Sequence, residues 1–253
     1  MLHIKNVYKS FPGVFKTALD DLSFSLNKGE FCVCVGSNGS GKSTLIKTIV
    51  GEHKIDKGSI VIDEEDFTNL SLQQRSKSIT YVTQNITNGT FQEMTLLENL
   101  ALARMRVTSP KLKHYMYNID RIKEEVISLN LGLDKFFNSK VGNLSGGQQQ
   151  MIAVVMATLF HTKLLLLDEH CCALDPKMQR QLMYYTAACI VKNDITSLMV
   201  THNMQDAIMY GDRIIMLSEG RIVLDINKEK KSKMKLEELL QLFHQHEDIE
   251  HFN

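Results

Sequence analysis

The chain has 253 residues, 43% hydrophobic and 23% charged, an ordinary globular mixture with enough apolar surface for a sizeable core. Lys and Arg number 29 and Asp and Glu 29, so the net charge is zero; a dedicated nucleic-acid binder, whose affinity rests on basic excess, is disfavoured. No apolar run reaches the roughly 18 residues of a membrane span, and residues 1–11 alternate without a signal-peptide core, so the sequence predicts a cytosolic protein unless a partner holds it at a membrane.

In chain order, the first elements read as short strands. Residues 31–35, Phe-Cys-Val-Cys-Val, form a compact apolar run, and the two-residue period puts Cys32 and Cys34 on one face. The other cysteines are Cys171, Cys172 and Cys189, and no metal-binding spacing appears, so all five read as small buried thiols. The run leads into Gly36, Ser37, Asn38, Gly39, Ser40, Gly41, Lys42 and Ser43, which fit GxxxxGK[ST] in full, and then into a helix ending near Gly51. A strand, a glycine-rich turn and a helix are the setting this phosphate loop requires. Its glycines let backbone N–H groups face phosphate oxygens, and the helix N-terminus favours negative charge. Lys42 reaches the outer phosphates and Ser43, with Thr44 beside it, faces the phosphate-bound Mg²⁺.

The middle, residues 89–159, is mostly helical in character, with apolar residues at helical spacing in 98–106 and 119–131. Four leucines then lead to Asp168 and Glu169, and a further apolar strand, 197–201, runs into His202. Residues 213–217 and 221–225 read as a hairpin joined at Glu219 and Gly220. A Lys-rich stretch, 228–235, reads as a solvated loop. Leu236, Leu239, Leu240 and Phe243 then mark a closing amphipathic helix. Alternating strands and helices predict an α/β fold with a mainly parallel sheet.

Late in the helical middle, ahead of the acid pair, stands Leu144-Ser145-Gly146-Gly147-Gln148. With the phosphate loop before it and Asp168-Glu169 after it, this order resembles the ABC ATPase family, whose signature motif is LSGGQ. The resemblance spans residues 1–243 and implies a P-loop NTPase with a parallel core sheet, an antiparallel β subdomain and a helical signature lobe, residues 244–253 being a flexible tail. It implies further roles, residue by residue. Phe11 stacks on adenine, and Gln84 is the glutamine of the loop after a core strand. Asp168 is the Walker B aspartate, Glu169 the catalytic carboxylate, Asp175 the D-loop aspartate and His202 the switch histidine. Mg²⁺ is held by Ser43 and Gln84, with Asp168 nearby. Two copies form a head-to-tail homodimer in which Ser145, Gly146, Gly147 and Gln148 of one face the ATP of the other.

One domain without a membrane span implies separate permease subunits at the cytoplasmic face of the membrane and an extracytoplasmic substrate-binding protein. His170, where the family usually has proline, and the segments around Asp168, His202 and Gly220 look like a bacterial subgroup of importers described for tryptophan and tyrosine. An ATPase of an exporter or of a lipid-handling system would share every catalytic motif. ABC proteins that act on ribosomes or DNA usually carry two fused ATPase domains or a long coiled-coil insertion, and this chain has neither.

Overall fold

Phe31, Val33 and Val35 are as buried as Cys32 and Cys34, so this strand has no solvent face. A continuous apolar run is what a strand covered on both sides needs. The structure, a computed structural model, describes residues 1–13, 15–85, 89–105, 119–160, 162–171 and 174–251. Its strands are β1 (Leu2–Lys9), β2 (Leu19–Leu26), β3 (Phe31–Val35), β4 (Lys57–Ile62), β5 (Glu65–Asp66), β6 (Ile79–Val82), β7 (Leu164–Asp168), β8 (Thr196–Val200), β9 (Arg213–Ser218) and β10 (Arg221–Ile226). The helices are α1 (Lys42–Val50), α2 (Leu72–Arg75), α3 (Leu96–Met105), α4 (Ile119–Ser128), α5 (Gly146–Thr158), α6 (Pro176–Lys192), α7 (Met204–Met209), α8 (Lys228–Lys231) and α9 (Leu236–His251).

Two sheets result. One has the order β10-β9-β3-β8-β7-β6, parallel except for the β9–β10 hairpin. The other, β2-β1-β4-β5, is antiparallel, with Ile4 opposite Phe24 on one side and Ile60 on the other. Strand parity sorts the core into two. Val33, Val35, Leu165, Leu167, Met199 and Ile214 face the helical side, against α3 to α7 and α9. Cys32, Cys34, Leu166, Leu198 and Leu217 face α1 and the antiparallel sheet. The expected burial of Cys32 and Cys34 on one face is observed.

The β9–β10 turn is Glu219 and Gly220, both at positive φ (48° and 76°), as a two-residue turn that matches the strand twist demands. Its Gly220 N–H donates to Ser40 O at 2.9 Å, and Gly220 O accepts from the Asp20 N–H at 3.0 Å. The turn therefore ties the loop after β3 to the start of β2.

Two local readings differ. The Lys-rich stretch is not simply a solvated loop. Asn227 caps the short helix α8, and Lys231 Nζ donates to Ile208 O and Gly211 O, closing the end of α7. The closing helix does not stop at Phe243 but runs to His251, since no glycine or proline breaks it. The sequence positions Cys172, Ala173, Arg106, 252 and 253 lie outside the described residues.

The buried Arg75 ties the end of α1 to the segment that follows β5. The Arg75 guanidinium donates to Thr48 O and Ile49 O in the last turn of α1, at 2.8 Å each, and to Thr68 O and Leu70 O at 3.0 Å. It satisfies helix-end carbonyls that would otherwise lack donors, and its charge suits the negative end of α1. Arg75→Ala strands those buried carbonyls and is expected to lower the unfolding free energy by about 3 kcal/mol, read as a reduced urea midpoint at unchanged slope.

Candidate functional site

Adjacent parallel strands release their chains at one edge, and this is where the charged residues gather. β3 ends at Gly36, β8 at Thr201, β7 at Asp168 and β6 leads to Gln84. Gly36 has to be glycine, because a Cβ there would stand 2.2 Å from Leu217 O of β9.

The loop that follows wraps Lys42. Lys42 Nζ donates to Gly36 O at 2.8 Å and Ser37 O at 2.7 Å, with Ser40 Oγ at 3.5 Å. The side chain is 6% exposed. Burial lowers its pKa, and the carboxylates of Glu169 and Asp168 oppose that shift. Gly41 precedes α1 without a side-chain cap, and no acid lies in the first turn, so the first N–H groups of α1 are left to an outside acceptor. Ser43 and Asn38 are exposed beside them, Gly39 also, and Thr44 is half-buried.

Asp168 is 6% exposed and accepts a hydrogen bond from Tyr81 Oη at 3.2 Å. Burial raises its pKa, against the opposing effect of that bond. Glu169 stands one residue on, at φ 47°. A left-handed conformation without glycine costs of order 1 kcal/mol and clusters at functional sites. It turns the Glu169 carboxylate between two neighbours: Gln84 Nε2 donates to Oε2 at 3.3 Å, and His202 Nδ1 is 3.4 Å from Oε1. Glu169, Gln84 and His202 come from three separate strand ends and meet at one carboxylate.

Phe11 sets its ring edge-on to His53 at 5.1 Å, with its face 5.3 Å from Lys9 Nζ. The signature residues form a second locus. Ser145 caps α5 and shares a capping box with Gln148. Ser145 and Gly146 are exposed. Asp175 caps α6, accepting from Lys177 N and Met178 N. One cavity of about 400 Å³ is lined by Ser145, Gly146, Gly147, Gln148 and Asp175, and by no residue of the loop 36–43.

Tyr81, Asp206 and Gln179 escaped the sequence reading. Tyr81 holds Asp168, and Asp206 with Gln179 stands behind His202, linked at 3.4 Å. Tyr81 sits in an ordinary strand pattern and Asp206 in an ordinary first helical turn, so neither carries a motif. His170 was marked only by its place after Glu169. It is 3% exposed, and burial pulls its pKa down to about 4.

That value lies below the ordinary histidine range, so the unfolded chain binds more protons between the two. The stability contributed by neutral His170 is complete above about pH 6.5 and is lost as pH falls toward 4. Urea unfolding from pH 7 to 4.5 is expected to show a loss about 2 to 3 kcal/mol larger in the unsubstituted chain than in His170→Phe.

Comparison with known proteins adds to this geometry. A family model described as ABC transporter matches residues 19–171. A tyrosine transport ATP-binding protein of Clostridioides difficile (strain R20291) is 40% identical over 250 residues, covering 96% of this chain and 98% of that protein. A xylose/arabinose import ATP-binding protein of Sulfolobus acidocaldarius is 34% identical over 244 residues, covering 96% and 94%. Among solved structures, a dimeric ATP-binding cassette in a post-hydrolysis state, bound to ADP and Pi, matches with a TM-score of 0.78 at 28% identity, covering 90% of this chain and 99% of that one. The chain belongs to the ABC transporter family and is one of its ATP-binding, ATP-hydrolysing subunits.

Proposed function

We propose that this ATPase energises the import of a small solute, an aromatic amino acid of the tyrosine class, through separate permease subunits at the cytoplasmic face of the membrane. The observation that carries the catalytic part is the meeting of Gln84, Glu169 and His202 beside the loop that wraps Lys42. The solute class is supported by the 40% identical tyrosine transport relative, and the direction by the xylose/arabinose import relative. Among the described residues no helix is long and apolar enough to cross a membrane, which fits a subunit docked on a spanning partner.

In this reading the N–H groups of residues 36–44 and the Lys42 ammonium bind the phosphates, and Phe11, braced by His53, stacks on adenine. The donors near the γ-phosphate, the Ser43 hydroxyl, the Gln84 amide carbonyl and the Asp168 carboxylate, are all oxygen, the set a hard divalent cation takes. Magnesium bound there neutralises phosphate charge during transfer. Glu169 accepts the proton of the attacking water as general base. His202 orients that water and contacts the γ-phosphate. Gln84 joins the site to a groove of about 220 Å³ lined by Val82, Phe91, Leu102, Ala153 and Met156, which suits an apolar permease segment. Docking residues are drawn from 85–99, of which 86–88 lie outside the described residues.

The exposed Ser145 and Gly146 lie apart from the loop 36–43 in one chain, so the site is completed by a second copy, with Asp175 coupling the two nucleotides. A separate extracytoplasmic protein would deliver the solute.

Glu169→Gln is expected to keep ATP affinity while turnover falls at least about 100-fold, read by nucleotide binding and phosphate release; turnover at the original rate would remove Glu169 from the role of base. The same variant, tagged and purified gently from membranes with ATP, is expected to bring a multi-span permease and a solute-binding protein, identified by mass spectrometry. A permease with large extracytoplasmic domains and no binding protein would turn the reading to export.

A further inference from the structure

An ion pair at the end of β1 stands where folding stability alone does not explain it. Lys9, the last residue of the strand, donates from Nζ to Asp56 Oδ1 at 3.0 Å. The Lys9 side chain is 15% exposed and that of Asp56 45%. A pair so open to water adds little to stability. Asp56 nevertheless makes further bonds to the same stretch. Its Oδ2 accepts from the Ser10 N–H at 2.7 Å, and its own N–H donates to Tyr8 O at 2.8 Å. The Ser10 bond first, and then Lys9, hold the Asp56 carboxyl below the usual carboxylate range. Asp56 thus bonds to Tyr8, Lys9 and Ser10, the three residues that lead to Phe11.

What this arrangement fixes is the Phe11 ring. Lys9 Nζ stands over the ring, 5.3 Å from its centre. His53 meets the same ring at 5.1 Å, with the planes at 78°. His53 in turn belongs to the close of α1, where its N–H donates to Lys47 O at 3.2 Å beside those of Gly51 and Glu52. Phe11 is therefore located against α1, the helix whose other end follows the phosphate loop. The ring itself is half-buried. An ammonium over one face of an aromatic ring draws electron density toward itself. The other face then repels the π-cloud of a stacked, electron-rich purine less.

We propose that Lys9 and Asp56 are positioning residues for nucleotide binding: Lys9, held by Asp56, backs one face of Phe11, and the adenine base stacks on the other. The inference deepens the reading of Phe11 as the adenine platform and rests on it. Asp56 acts through Lys9, and Lys9 through the ring. The pair therefore serves the base and not the phosphates, which are left to Lys42 and the loop around it.

The test is equilibrium binding of ADP and of inorganic pyrophosphate to the full chain, comparing Lys9→Met, Asp56→Asn and the double variant, with Lys9→Arg as the rescue. Pyrophosphate carries the charge without the base. Lys9→Met keeps the apolar stem and removes the ammonium; it is expected to weaken ADP about threefold while pyrophosphate stays within about 1.5-fold. Lys9→Arg, which keeps a cation over the ring, is expected to bind ADP within about 1.5-fold of the original chain. The double variant is expected to bind ADP no more weakly than Lys9→Met, because Asp56 acts only through Lys9. Unchanged ADP affinity in Lys9→Met would overturn the proposal. An equal loss of pyrophosphate would overturn it too, since the effect would then be one of general charge or local folding, and so would losses that multiply in the double variant. Should Lys9→Met not fold, Lys9→Gln replaces it with the same outcomes. Failure of the platform reading shows separately, as ADP affinity retained in Phe11→Ala.

Discussion

β3 is covered on both faces and paired on both edges, and the nucleotide end of the molecule depends on that burial. Its flanks are β8 and β9, its faces the helical core on one side and α1 with the antiparallel sheet on the other. A strand so enclosed delivers the chain to one point at one angle. The loop that leaves it must clear the Leu217 carbonyl, which only a residue without a side chain does, and must then start α1 with its N–H groups outward. The hairpin turn at Gly220 closes the remaining freedom by bonding Ser40. Arg75 does the corresponding work at the other end of α1. The phosphate loop is thus held at its entry, its middle and the far end of the helix that follows.

Burial shapes the charges as well as the backbone. Lys42 and Asp168 are both nearly inaccessible, and each is displaced toward its neutral form by that burial; the carboxylates beside Lys42 oppose the shift, and at Asp168 the Tyr81 hydroxyl and two lysines oppose it while Glu169 adds to it. In a medium less polarisable than water these charges act strongly on whatever binds next to them. The exposed His202 and half-buried Glu169 are placed differently, where water can reach them. Depth below the surface thus separates the buried pair, Lys42 and Asp168, from the water-accessible pair, Glu169 and His202.

Much of this was legible in the residues. The phosphate loop could be read because glycine spacing, a strand before it and a helix after it are local features, and the acid pair because it ends an unmistakable apolar strand. The order of the strands was not local. That β6, β7, β8 and β3 lie side by side, so that Gln84 and His202 meet Glu169, rests on pairings between segments far apart in sequence. Tyr81 and Asp206 stayed hidden for the same reason, since their importance comes from what lies across from them. Lys231 was read as solvated because a lysine in a charged run usually is; its three donors instead found the carbonyls at the end of α7. His170 was visible as an odd residue, but its burial was not.

The strand order also has a consequence for how the protein is made. β3 and its neighbour β8 are separated by about 160 residues of chain, and β9 comes later still. At ribosomal rates of about 5 to 20 residues per second, β3 waits about ten to thirty seconds for the first of its partners. During that interval a fully apolar strand with two open edges leads a nascent chain that has no completed sheet to join. Such an edge pairs readily with other chains. The interior position that makes β3 the anchor of the finished site therefore makes it the segment most in need of shelter during synthesis, and a folding helper that engages the first third of the chain would protect the nucleotide site before it exists.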